Sequence, residues 1–116
     1  MVVDDEADVR LLFEQRFRKE IRAGLIEFYF ALSAADALTF LEHHEEDVLI
    51  LSDINMPGVS GLDLLKEVKA KYRHLKVFMI TAYGSAEYQR TAAEYGCDDY
   101  LTKPIDFALL KTKLLG

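Results

Sequence analysis

Several residues capable of ionic chemistry stand where apolar runs end. Met1–Val3 meets Asp4-Asp5, Val48–Ser52 runs into Asp53, Val77–Thr81 closes on a threonine, and Asp99–Leu101 is followed by Lys103-Pro104. Taken singly, each has an ordinary reading. The acidic pair can complement a helix dipole, Asp53 can cap or turn the chain, Thr81 is a β-branched strand residue, and Lys103 is a solvated lysine. Gathered in one place, they form a reaction centre. Three carboxylates held together repel, and ionising all of them needs a counter-charge. A divalent cation supplies it, and hard oxygen ligands with room for water suit Mg²⁺, with Mn²⁺ as the alternative. The cation and Lys103 then make a positive pocket for a phosphoryl group, and Thr81 adds a hydroxyl donor. A carboxylate would be the nucleophile, giving an aspartyl phosphate.

Whether these residues meet depends on the elements that carry them. Strands are expected at Met1–Val3, Glu27–Ala31, Val48–Ser52, Val77–Thr81 and Asp99–Leu101. The third and fourth are almost continuously apolar, as strands covered on both faces should be. Between them lie helical stripes: Val9, Leu12, Phe13, Phe17 and Ile21; Ala34, Ala37, Leu38 and Leu41; Leu62, Leu65 and Val68; Phe107, Leu110 and Leu114. Ser85–Tyr95 is helical by propensity, though weakly amphipathic. Ser33-Ala-Ala-Asp36 and Ser60-Gly-Leu-Asp63 read as capping boxes. Gly96 is placed to stop a helix in a left-handed conformation, Asp106 to cap the last helix, and Pro57-Gly58 to fill the centre of a type II turn. Five strands alternating with five helices imply a mainly parallel sheet with helices on both faces. In such sheets ligands bind beyond the carboxyl ends of the strands. Asp4, Asp5, Asp53, Thr81 and Lys103 all fall at that edge. No glycine-rich phosphate loop follows the first strand, so the edge should attract a cation.

Composition narrows the classes further. The chain has 116 residues, one domain's worth, of which 51% are hydrophobic, enough for a real core. A formal net charge of −6 argues against nucleic acid or anionic membrane as a direct partner. No apolar run is long enough to span a bilayer, and Met1–Val3 meets charge too soon for a secretory leader. Cys97 is the sole cysteine, which excludes an internal disulfide and fits a reducing cytoplasm.

The motifs VVDDE, DINMPGVSG, TAYGS and YLTKP occur in that order over essentially the whole chain. In this the chain resembles a response-regulator receiver domain of two-component signalling. The resemblance implies one receiver domain over residues 1–116 with a flavodoxin-like fold. That is a three-layer (βα)5 sandwich on a parallel five-stranded sheet of order 2-1-3-4-5. It implies that Asp53 is the phospho-acceptor and that Asp5 ligates Mg²⁺ directly, with Asp4 acting largely through water. Asn55 offers its backbone carbonyl to the metal, and Thr81 and Lys103 grip the phosphoryl oxygens. Lys103-Pro104 is expected to be cis, and Tyr100 matches a switch aromatic that turns inward as Thr81 moves. Asn55 and Tyr83 occupy positions that tune hydrolysis of the acyl phosphate. The donor would be a bacterial sensor histidine kinase or a histidine phosphotransfer protein. The new charge would draw Thr81 and Ala82–Ser85, reshaping the face made by the Ser85–Tyr95 helix, the fifth strand and the last helix. That face would control an output domain or effector and is also a candidate homodimer surface. Such a domain is not an enzyme, promoting only its own phosphorylation and dephosphorylation.

The chain departs from the family pattern in places. Met1–Val3 is short for a first strand, so the strand is clipped or starts outside the chain. The spacer from Asp5 to Asp53 is long, with the excess expected around Ile21–Glu27. The chain stops at Gly116 without an output domain, and RLLFEQRFRKEIRAG resembles first helices of receivers fused to cyclase-type or other effector modules. Three other readings compete. A haloacid-dehalogenase-like phosphatase would place a general acid two residues past its nucleophile, where Asn55 cannot deliver a proton. A pseudo-receiver acting only through its surface would not need the full set of site residues found here. A flavodoxin would need the missing phosphate loop. His43, His44 and His74 read as solvated, Glu45–Asp47 as a charged loop, Cys97 as a small core residue and Met56 as loop packing.

Overall fold

The computed structural model describes residues 1–44, 48–56, 60–82 and 86–115. The elements are β1 (Val2–Val3), α1 (Asp8–Arg16), α2 (Arg18–Arg22), β2 (Phe30–Ala31), α3 (Ala34–His43), β3 (Ile50–Asp53), α4 (Gly61–Lys71), β4 (Val77–Thr81), α5 (Ala86–Glu94), β5 (Asp99–Thr102) and α6 (Phe107–Leu115). The strands form one sheet in the order β2-β1-β3-β4-β5, every neighbouring pair parallel. The expected architecture and strand order are therefore present.

The period of two along the strands divides the core. Val3, Ile50, Val77 and Met79 face one side and pack with Ala34, Ala37, Leu41, Leu64, Leu65, Val68 and Ala92, from α3, α4 and α5. Val2, Leu51, Phe78 and Ile80 face the other and pack with Phe13, Phe17 and Leu110, from the α1 and α6 side. β3 and β4 are buried throughout, which is why their sequences lack the alternation of a half-exposed strand.

Several boundaries differ from expectation. The first helix is broken at Phe17 (φ −107°, ψ 18°), so six helices appear among the described residues where five were expected. The ring at the break is anchored: Phe17 is fully buried and meets Phe13 and Phe28 edge to face, at 6.1 and 5.0 Å. Only Phe13 and Phe17 of the expected apolar stripe are buried; Leu12 and Ile21 are 40% and 36% exposed. β2 begins at Phe30 rather than Glu27, because its only neighbour, β1, offers two residues for pairing. The long spacer forms α2 and the approach to β2, turning at Gly24 (φ 72°).

The capping signals have local causes. Ser33 Oγ accepts from the Asp36 N–H at 3.1 Å, and Ser60 Oγ from the Asp63 N–H at 3.3 Å. Asp106 Oδ1 accepts from the Leu109 N–H at 3.1 Å. Gly96 adopts φ 88° just past α5, a conformation that costs a residue with a side chain. The expected turn at Pro57-Gly58, the loop at Glu45–Asp47 and the position of Tyr83 lie outside the described residues. His44 is not simply solvated: its ring stacks on Phe40 at 4.2 Å.

The start of β5 is held from both sides. Asp98 Oδ2 lies 2.8 Å from Lys69 Nζ of α4 and accepts from the Val77 N–H at 2.8 Å. Lys69 Nζ also donates to Leu75 O at 2.9 Å. Burial disfavours the Asp98 carboxylate, but the Lys69 ammonium and the Val77 N–H outweigh it and leave its pKa below the ordinary value. A depressed carboxylate pKa contributes stability that is complete above the unfolded value, about 3.9. It is lost as pH falls through the folded value. Asp98→Asn is expected to cost about 1 kcal/mol at neutral pH, a modest figure because the pair is partly solvated and screened. The gap between variant and parent in urea melts should close progressively below about pH 4. A gap independent of pH would assign the loss to packing instead.

Candidate functional site

Among the described residues, the buried polar or charged side chains are Asp4, Ser52, Asp53 and Thr81. All four lie at the carboxyl ends of β1, β3 and β4. A protein interior tolerates such groups only when paired or placed for a purpose, so their shared address identifies the edge.

Parallel pairing builds the cluster. Val3 pairs with Ser52, and Asp53 with Ile80, so the residues just past β1 and at the ends of β3 and β4 arrive side by side. Asp4, Asp5 and Asp53 each present a carboxylate oxygen, and these lie within 4.8 Å of one another. Asp4 and Asp53 are buried, whereas Asp5 is exposed. Asp4 Oδ1 accepts from the Glu6 N–H at 2.9 Å, which fixes its rotamer. Lys103 arrives from beyond β5: Nζ is 3.5 Å from Asp4 Oδ2 and 3.6 Å from Asp53 Oδ2. The Lys103 N–H donates to Thr81 O at 2.8 Å, and the Lys103-Pro104 peptide is cis.

Charge does not balance within this group. At an effective dielectric of about 20, two carboxylates that close repel by roughly 3–4 kcal/mol, and one ammonium serves three carboxylates. The Asp53 pKa is raised, first by burial and further by Asp4 and Asp5, against the pull of Lys103. Burial would lower the Lys103 pKa, but the Asp53 and Asp4 carboxylates outweigh it and hold it above its ordinary value. The donor set, carboxylate oxygens with one exposed member, fits a hard divalent cation that keeps part of its water. Beside the cluster a cavity of about 610 Å³ opens between α1 and the segment leading into α6. Asp4, Asp53 and Lys103 line one end of it, and Val9, Leu12 and Phe107 its walls.

Thr81 is fully buried at the end of β4, and Asn55 is exposed two residues past Asp53. Tyr100, expected to turn inward only on switching, already has its hydroxyl buried, with no hydrogen-bond partner of proper geometry among the described residues. Burial pushes the Tyr100 pKa up, and the nearby Thr81 side chain pulls against it.

One positioning residue was not singled out from the sequence. Gly61, the first residue of α4, packs so tightly on the end of β3 that an added Cβ would lie 2.0 Å from Asp53 O. Its N–H donates to Ile54 O at 2.9 Å. The signal was the glycine directly after the Ser60 cap, where a helix itself has no need of one. Gly61→Ala is expected to cost about 3 kcal/mol or more by overpacking and to displace the Asp53 strand end. Chemical denaturation would measure the first effect, and Mg²⁺ affinity of the still-folded fraction the second. A neutral substitution would mean that α4 can slide away freely.

Comparison with known proteins agrees with this geometry. The sequence profile of the family described as "Response regulator receiver domain" matches residues 1–115. Chemotaxis protein CheY-3 of Vibrio cholerae is 35% identical over 98% of this chain and 86% of its own length. The DNA-binding transcriptional regulator NtrC of Escherichia coli K12 is 40% identical over 90% of this chain, which spans only 21% of NtrC. Among solved structures, the receiver domain of NtrX from Brucella abortus superposes with a TM-score of 0.80 at 31% identity, covering 98% of this chain and 95% of that one. A response regulator receiver domain protein from Clostridium thermocellum gives 0.85 at 25% identity, covering 97% and 87%.

Proposed function

Because the chain belongs to the response-regulator receiver family, we propose that it accepts a phosphoryl group on Asp53 in a Mg²⁺-dependent reaction and passes the change to its α5–β5–α6 face. The observation that carries this reading is the meeting of Asp4, Asp5 and Asp53 within 4.8 Å, with Lys103 against two of them.

Each residue has a part. Asp5 and Asp53 would hold the metal through carboxylate oxygens, Asp4 largely through water, and Asn55 through its backbone carbonyl. When bound, Mg²⁺ offsets the charge of the carboxylates and of the incoming phosphoryl oxygens. Asp53, the buried carboxylate beside Lys103, attacks in line. One of its oxygens forms the P–O bond as the P–N bond of a donor phosphohistidine breaks, and the imidazole keeps the electron pair of that bond. Lys103 and Thr81 bind the phosphoryl oxygens. Drawing Thr81 toward that charge changes the packing around Tyr100, whose side chain lies close to Thr81. The donor is a sensor histidine kinase or a phosphotransfer protein, and the recipient an output domain or effector in the cytoplasm. The domain turns over no substrate other than its own phosphoryl group.

Two experiments test this. Asp53→Ala should abolish labelling by acetyl phosphate, whereas labelling that survives moves the acceptor elsewhere. Mg²⁺ at a hundredfold excess over its Kd should stabilise the protein by about 2.7 kcal/mol, a Tm rise of several degrees. Asp5→Ala should erase that rise, and an undiminished rise would locate the metal at another site.

A further inference from the structure

The cavity beside the carboxylate cluster runs well past the residues assigned to the phosphoryl site. Its floor is the sheet face that α1 and α6 cover, at Val2, Leu51 and Ile80, all buried. Val9 and Leu12 of α1 form one wall, and Phe107, at the start of α6, the other. Charge is confined to one end and to exposed positions. Asp4, Asp53 and Lys103 stand at the end, while Glu6, Arg16 and Asp106 line the cleft from solvent-exposed positions.

Phosphoryl transfer has no use for so much apolar lining. The phosphoryl oxygens are held by a metal, an ammonium and a hydroxyl, and none of the floor or wall residues can hold one. A volume of about 610 Å³ falls in the range of roughly 300–1,000 Å³ that small-molecule sites occupy. Those sites share its build, apolar walls with a few convergent polar groups. Leu12 is 40% exposed, so the wall is open to an entering ligand, and its apolar surface would leave water on binding. Charge sets the two ends of such a ligand. Lys103 Nζ, at the closed end with Asp4 and Asp53, offers a cation to an anionic head. The body that follows meets the apolar walls and floor, so it must be uncharged.

We propose that the cleft between α1 and α6 holds the leaving group of a small-molecule phosphodonor, an acyl phosphate whose acyl chain is apolar and several carbons long. The inference rests on the phospho-acceptor reading above and names a donor class that fits it. An Asp53 carboxylate oxygen attacks phosphorus. The new P–O bond forms as the P–O bond of the mixed anhydride breaks, and the departing carboxylate takes the electron pair of that bond. Its chain lies along Val9, Leu12 and Phe107. Each methylene withdrawn from water adds its own increment of binding, so longer chains label faster until the cleft is full.

Labelling of the whole chain by acetyl, butyryl and hexanoyl phosphate with Mg²⁺, followed by the mass of the intact protein, tests this. The three donors release straight-chain carboxylates of nearly equal leaving ability, so rate differences report the chain. The second-order rate should rise along the series, with hexanoyl phosphate about tenfold or more faster than acetyl phosphate. Val9→Thr/Leu12→Asn nearly keeps the volume of the wall and makes it polar. It should cut the hexanoyl-to-acetyl ratio by about threefold or more, and taking the ratio cancels any effect common to both donors. Leu12→Asn alone gives the same comparison if the double variant does not fold. Equal rates from the three donors would overturn the proposal and leave the cleft to an apolar side chain of a protein donor. A ratio untouched by the variants would also overturn it, by placing the preference elsewhere. No labelling from any of the three would instead remove the phospho-acceptor reading, and this inference with it.

Discussion

Like charge is crowded onto one edge of this sheet, and the rest of the structure keeps it there. Asp4, Asp5 and Asp53 meet within 4.8 Å, two of them are buried, and among the described residues Lys103 is the counter-charge that reaches them. Such a group relaxes by spreading apart unless the backbone forbids it. The backbone does so because Asp53 ends a strand hydrogen-bonded on both sides, and Asp4 directly follows β1, which is paired with β2 on one side and β3 on the other. Gly61 presses the first turn of α4 onto the Asp53 carbonyl from a third direction. The repulsion is therefore retained, at an edge whose carboxylate oxygens suit a hard divalent cation.

The opposite end of the sheet follows a different economy of charge. At the start of β5, Asp98 and Asp99 each have their own lysine, Lys69 and Lys113. Acidic groups there are matched one to one and serve as fastenings. At the carboxyl edge they outnumber their partners and can respond to whatever binds. One parallel strand, β5, thus joins the end where charges are paired to the edge where they are crowded, with Tyr100 between them.

The aromatic side of the molecule supports the same frame. Phe13, Phe17, Phe28 and Phe107 contact one another in edge-to-face and stacked pairs. The break at Phe17 lets α2 continue at an angle that brings Glu20 to Lys111. A short helix with no buried residue of its own is therefore held through the ring before it and an ion pair to α6.

The sequence by itself determined the alternation of strands and helices, the two buried central strands, the caps at Ser33, Ser60 and Asp106, and the residues at the reactive edge. These follow from local causes: apolar periodicity, side-chain hydrogen bonding near helix starts, and residue types placed at the ends of apolar runs. Tertiary structure alone decided where β1 and β2 stop, since a strand is only as long as its neighbour allows. It also decided which of Leu12, Phe13, Phe17 and Ile21 go inside, because one helical stripe is wider than the surface it covers. The contact of Gly61 with Asp53, the Lys69–Asp98 fastening and the inward Tyr100 hydroxyl join residues far apart in the chain. No spacing in the sequence encodes such distances; they exist only once the sheet has set every strand end in register.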